Sequence, residues 1–144
     1  MENIVTRQAN KEDAKKIFEL NEEFNDIGIS TVEHIINSLE NNKQEIVCVV
    51  ELNNEIVGFC CMQIVKSICY ISVHAELTEL FIKEKFRRKG LATKLINYME
   101  NICIKTFGVK KFQLLTGDDN IFSRRLYESL GYEVDEEVFY IKSI

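Results

Sequence analysis

The chain has 144 residues, 46% of them hydrophobic, and a formal net charge of −5. That length suits a single domain spanning residues 1–144 on one core, and the acidic balance argues against a nucleic-acid partner, whose binding requires neutralising many phosphates. No run of about eighteen apolar residues occurs, and the opening MENIVTRQANKEDAKK has no apolar core, so a soluble, cytoplasmic protein with no membrane partner is expected.

Ile4 to Gln8 reads as a first strand and Lys11 to Phe24 as a helix, with Ala14, Ile17, Phe18, Leu20 and Phe24 at helical spacing. The polar stretch Asn25 to Ser30 is a loop. Ser30 or Thr31 caps a second helix running through Glu40, with Glu33 placed for a capping box behind Ser30. Glu45 to Leu52 and Ile56 to Val65 are rich in β-branched residues, and Asn53-Asn54 between them suits the positive φ of a tight hairpin.

Tyr70 to Lys83 is a long strand that needs a bend or bulge. Alternation places Ile71, Val73, Ala75, Leu77, Glu79 and Phe81 on one face, which is apolar except for Glu79, and Glu76 on the other. From Gly90 the period becomes helical, with Leu91, Leu95, Ile96, Met99, Ile102 and Cys103 on a stripe ending near Phe107-Gly108. Val109 to Thr116 follows as a strand and Asn120 to Leu130 as a helix bearing a Phe122, Leu126 and Leu130 stripe. Val134 to Lys142 reads as a final strand. This order implies an α/β (α+β) fold whose sheet has a parallel portion covered by helices.

Cys48, Cys60, Cys61, Cys69 and Cys103 form no Cys-x-x-Cys pair and read as small core hydrophobes of apolar strands in a reducing compartment. His34 and His74 have no Glu or Cys at ligand spacing, so no metal site is expected.

The segment Lys83 to Lys94, KEKFRRKGLATK, carries an Arg-x-x-Gly-x-Ala core where an apolar strand turns into a helix. The first amides of a helix are unpaired and carry partial positive charge, so such a turn holds an anion without help from any single side chain. Gly90 and Ala92 are small where a ligand would approach the backbone. Neither Gly-x-x-x-x-Gly-Lys-Ser/Thr nor a strand-to-helix Gly-x-Gly-x-x-Gly is present.

With Asn120-Ile-Phe-Ser123-Arg-Arg-Leu126-Tyr127-Glu-Ser-Leu-Gly131-Tyr132 downstream, this segment resembles the two signature motifs of the GNAT superfamily of N-acetyltransferases, in spacing within and between them, over roughly Leu77 to Tyr132. The resemblance implies a mixed, mostly antiparallel sheet of six to seven strands with helices on both faces, splayed at an acetyl-CoA site. It implies that the backbone of Leu80, Phe81 and Ile82 pairs with pantetheine. It also implies that Arg87, Arg88, Lys89, Gly90, Leu91 and Ala92 hold the pyrophosphate, mostly through amides, and that Asn120 and Ser123 contact the cofactor.

By the same resemblance Tyr127 is the general acid for the leaving thiolate, and one family position for the general base falls on Glu76; the alternative base is Glu79, the sole charged residue on its strand face, where burial would raise its pKa toward a useful value. A further base position used by part of the family, including ribosomal-protein N-terminal acetyltransferases, falls on Leu115, which cannot serve. Gly131 and Tyr132 read as helix termination and packing. The acceptor pocket would draw on the loop between the first two helices, with Glu22, Glu23 and Asp26, and on the last hairpin, with Asp135, Glu136 and Glu137. These acidic residues suit a small cationic amine, an aminoglycoside among them, or a peptide amine. A non-catalytic acyl-CoA-binding module is the alternative, and a homodimer is compatible with either.

Overall fold

A computed structural model describes residues 2–144. In chain order the elements are strand β1 (Ile4–Gln8), helices α1 (Ala14–Phe24) and α2 (Val32–Asn41), strands β2 (Glu45–Leu52), β3 (Glu55–Ser67) and β4 (Tyr70–Ile82), helix α3 (Leu91–Phe107), strand β5 (Val109–Leu114) and helix α4 (Ile121–Ser129). The five strands lie in the order β1-β2-β3-β4-β5. The first three pairings are antiparallel, and β4 with β5 is parallel, joined through α3.

Local chemistry sets the element ends. A short 3₁₀ turn, Lys11–Asp13, leads into α1, and Asn10 with Asp13 forms a reciprocal capping box there. At α2 the cap is Thr31, whose hydroxyl accepts from the His34 amide at 3.0 Å, so the box expected behind Ser30 does not form. Asn53 and Asn54 take φ of 51° and 67°, the left-handed pair that closes the β2–β3 hairpin.

The larger core lies between one face of the sheet and α3, where Cys48, Cys60, Met62, Leu95, Met99 and Cys103 are fully buried. A smaller core on the other face joins α1 to Val49, Phe59, Cys61 and Phe81. Four of the cysteines are buried, Cys103 on a helix and not a strand, while Cys69 is exposed in the β3–β4 turn and departs from the expected pattern. Its position follows from the turn, which has no covering element.

Strict alternation fails along β4. Leu77 stands opposite Met62 and Glu79 opposite the adjacent Cys61, leaving Thr78 as one extra residue. That bulge reverses the facing of the strand residues beyond it. Ala75 and Leu77 pack toward α3, whereas Phe81 packs toward α1 and Glu79 faces α1 and α2, so Glu79 does not share the face of Ala75 and Leu77.

The expected strand Val134–Lys142 is absent among the described residues, which leaves five of the six strands read from the sequence, against the six to seven that the resemblance implies. Val138, Phe139, Tyr140 and Ile141 are at least 64% exposed. Strand propensity creates no strand unless a neighbour takes up the backbone hydrogen bonds, and the segment has none within the described residues.

Candidate active site

The site is organised by the end of the β4–β5 ladder. Parallel pairing runs from Val73 with Val109 to Leu77 with Leu114 and stops there. Beyond it β4 continues through Thr78–Ile82, while β5 has ended and the chain leaves as a loop. The β4 edge facing β5 is therefore left without a partner strand at Leu80 to Ile82; the Phe81 carbonyl faces Gly58 of β3, so of the three expected residues Leu80 and Ile82, and not Phe81, turn backbone groups to the open side, the geometry to which an extended amide-bearing ligand can add as a strand.

The strand end passes into the basic loop through a 3₁₀ turn at Glu84–Phe86. The Arg87 side chain folds back, its Nε donating to the Ile82 carbonyl at 2.7 Å and its guanidinium lying 5.5 Å from the Phe81 ring centre. It thus braces the strand end. Arg88 takes a positive φ of 64° and sets its guanidinium 5.7 Å from the ring centre of Phe122 on α4, joining the loop to the second motif. Lys89 pairs with Glu2 at 2.7 Å.

Gly90 has φ of 75°, and a Cβ there would meet nothing within 4 Å, so the residue serves both the turn and open access to the backbone. The first amide to close the α3 ladder is that of Lys94, on the Gly90 carbonyl at 3.1 Å. The amides of Leu91, Ala92 and Thr93 remain outside the helical ladder at its positive end. A pyrophosphate fits these donors, and the free β4 edge leads directly to them.

Asn120 caps α4, its Oδ1 accepting from the Ser123 amide at 3.4 Å. Tyr127 is partly buried against the α3 side of the core, and that burial raises its phenol pKa from the ordinary value, so it is protonated at neutral pH. Its hydroxyl makes no hydrogen bond to another described residue. The α4 end closes as expected: the Gly131 and Tyr132 amides return to Glu128 and Tyr127, Gly131 has φ of 95°, and the Tyr132 ring packs 6.0 Å from that of Tyr127. The Tyr132 hydroxyl donates to Glu100 at 2.6 Å, a contact that no motif signals. Leu126 and Leu130 pack on the core, but Phe122 is 74% exposed and belongs to the Arg88 contact and not to the stripe.

On the opposite face a cavity of about 150 Å³ opens between α1, α2 and the sheet, lined by Asn21, Ser30, His34, Glu45, Cys61 and Glu79 among others. A volume of that size equals roughly five waters and admits an amine-bearing arm. Burial raises the Glu79 pKa, and the nearby Glu45 carboxylate adds to the shift. Glu45 is held by Ser38 and Gln63, each at 3.2 Å. Glu76, by contrast, accepts from Gln113 at 3.2 Å within the paired part of β4 and β5.

Sequence reasoning did not find Glu45, Asn21, Ser30 or His34. The readable signal was that Glu45 shares a face of β2 with Val47 and Val49, which pack toward α1. Of the acidic residues named for the pocket, Glu22, Glu23 and Asp26 do not line the cavity, and Glu22 instead accepts from the Gly28 amide at 3.3 Å. Asp135 and Glu137 border a different groove beside β5.

A free strand edge thus runs into an uncapped helix start, with an asparagine-capped helix carrying a tyrosine beside it. The Acetyltransferase (GNAT) family profile matches residues 8–132, and the chain belongs to that family. It is 34% identical over 68 residues to the aminoglycoside N(6')-acetyltransferase type 1 of Acinetobacter baumannii, a stretch covering 47% of this chain and only 46% of that relative. An aminoglycoside acetyltransferase from an uncultured soil metagenomic sample superposes with a TM-score of 0.85 at 19% identity, over 98% of this chain and 95% of that one. AAC(6')-Iy in complex with the bisubstrate analogue CoA-S-monomethyl-acetylneamine superposes at 0.83 with 20% identity, over 99% of each chain. At such identities the structural likenesses speak for the fold.

Proposed function

We propose that this chain moves an acetyl group from acetyl-CoA to a primary amine of a small cationic substrate, by direct attack while both are bound. The observation that carries this reading is the gap where β4 outruns β5, with Glu79 on one face of the sheet and Tyr127 packed on the other. Acid and base thus approach one opening from opposite sides.

An aliphatic ammonium of pKa near 10.4 is neutral in only about one molecule in 2,500 at pH 7, so a proton acceptor is required. Glu79 takes the proton from the attacking amine. The partial burial that raises its pKa brings its basicity closer to that task. Tyr127 donates its hydroxyl proton to the departing thiolate as the carbon–sulfur bond breaks. The β4 edge at Leu80 and Ile82 holds the pantetheine, the turn from Arg87 to Ala92 holds the pyrophosphate, and Asn120 and Ser123 border the cofactor. Glu76 is a weaker choice as base because its carboxylate is engaged by Gln113 where β5 still closes the gap.

Among cationic amines an aminoglycoside is the acceptor this reading favours. The match to the Acinetobacter baumannii enzyme supports it, as do the two carboxylates, Glu45 and Glu79, that line the cavity. Release of CoA from acetyl-CoA should be measured against aminoglycosides, polyamines and peptides. Turnover with an aminoglycoside is the expected result. Acetyl-CoA binding without turnover on any amine would identify a non-catalytic acyl-CoA-binding module, and absence of binding would remove the proposal altogether.

A further inference from the structure

No residue of α4 is buried, and the helix with its end rests on the core through the partly covered Leu126, Tyr127 and Leu130. A short helix docked so shallowly is held loosely by apolar contact alone. Yet Tyr127 sits on it, and a proton donor works only within roughly 2.6–3.2 Å of the atom it serves. The Tyr127 hydroxyl has no hydrogen-bond partner among the described residues, so nothing at its reactive end fixes the ring.

The ring is fixed from behind, by Tyr132. The Tyr132 amide donates to the Tyr127 carbonyl at 3.0 Å, and the two rings meet at 61° with their centres 6.0 Å apart. Tyr132 is in turn held from α3, where its hydroxyl donates to Oε2 of Glu100 at 2.6 Å, within the short range of a charge-assisted bond. Burial and the Glu100 carboxylate both raise the Tyr132 phenol pKa, so the proton of this bond stays on the tyrosine. Among the described residues Glu100 makes no salt bridge, and its carboxylate has no competing cation.

Glu100 lies on the helix whose first amides are assigned to the pyrophosphate, about 14 Å along the axis from Leu91 at 1.5 Å per residue. At its start α4 is tied to the cofactor loop by Arg88 over Phe122, and at its end to α3 by Tyr132 on Glu100. The acid and the cofactor turn are thereby referred to one rod.

We propose that Glu100 is a positioning residue for the acyl transfer: through the Tyr132 hydroxyl it sets the Tyr127 ring against the cofactor held by α3. It acts only through Tyr132. The inference rests on the reading of Tyr127 as general acid.

The first readout needs no acceptor. In the full chain labelled with ring-13C tyrosine, the Tyr127 signal is assigned by its loss in Tyr127→Phe. Glu100→Leu should shift that signal. Glu100→Gln, whose amide oxygen still accepts from the Tyr132 hydroxyl, should leave it near its native position. A Tyr127 signal unmoved by Glu100→Leu overturns the proposal.

The second readout is turnover of acetyl-CoA with neamine. Glu100→Leu and Tyr132→Phe, the latter keeping the ring, should each lower kcat by roughly tenfold to a hundredfold with the KM for acetyl-CoA unchanged. Glu100→Gln should recover most of the rate. The double variant should lose no more than either single one, because both remove the same bond.

In a Tyr127→Phe background neither change should slow the enzyme further, and losses that persist there would mark a merely structural role and overturn the proposal. Slow Tyr127→Phe beside Glu100→Leu at the native rate overturns this inference and leaves the general acid standing. Tyr127→Phe at the native rate removes both.

Discussion

Gly58 of β3 lies so close to Phe81 of β4 that a Cβ at position 58 would stand 2.7 Å from the Phe81 carbonyl oxygen and 2.5 Å from Cδ1 of Ile82. The Ile82 backbone belongs to the edge assigned to pantetheine, so Gly58 sets its position from behind. Gly58→Ala should cost about 1–3 kcal/mol through overpacking and weaken acetyl-CoA binding. A melting curve together with a cofactor titration checks both. Unchanged affinity in a destabilised variant would separate Gly58 from the site.

Burial raises the Glu79 pKa, so the folded protein holds this proton more tightly than the unfolded chain. The activity limb assigned to Glu79 should lie above the ordinary glutamate range near 4.3, and Glu79→Gln should abolish that limb along with most turnover. Stability has the opposite sign: the native protein loses stability as pH rises through the Glu79 titration, so the melting advantage of Glu79→Gln should grow from pH 4 toward pH 7. Glu76→Gln should leave the limb in place.

For Tyr127 burial raises the phenol pKa from its ordinary value, so the donor is protonated at neutral pH. Turnover should therefore show no loss attributable to this group between pH 7 and pH 8. Tyr127→Phe should lower kcat by roughly a hundredfold or more with acetyl-CoA affinity little changed. Steady-state kinetics and a binding titration read the two separately.

Asp13 is buried where α1 begins, and the Arg7 guanidinium at 2.8 Å holds its carboxyl below the usual range. Arg7 also bonds Glu51 at 2.6 Å, so one cation ties β1 to the start of α1 and to β2. Because the folded pKa is depressed, this contribution is fully present above the unfolded aspartate value and lost as pH falls through the folded one. Asp13→Asn should cost about 1–2 kcal/mol at pH 7, and the gap from the native chain should close on acidification in melts taken between pH 7 and pH 3.

Much of this arrangement is written locally. The β2–β3 hairpin follows from two asparagines that tolerate positive φ, and α3 from Gly90 and Gly108 at its ends, with φ of 75° and 67°. The motif residues were legible because an uncapped helix start, a left-handed glycine and an asparagine cap act within a few residues of chain. The pairing of Arg88 with Phe122 was not, since each residue alone reads as surface.

Periods, caps and turn residues thus determined the strand and helix order through α4 and the location of the anion-binding turn, because each depends on short-range sterics and hydrogen bonding. Tertiary structure decided which face Glu79 occupies, because one bulged residue at Thr78 reverses every side chain after it and a bulge is defined only against the partner strand. It also decided the fate of residues 134–142, whose strand propensity is real but whose backbone hydrogen bonds must come from a neighbour that no local pattern can supply.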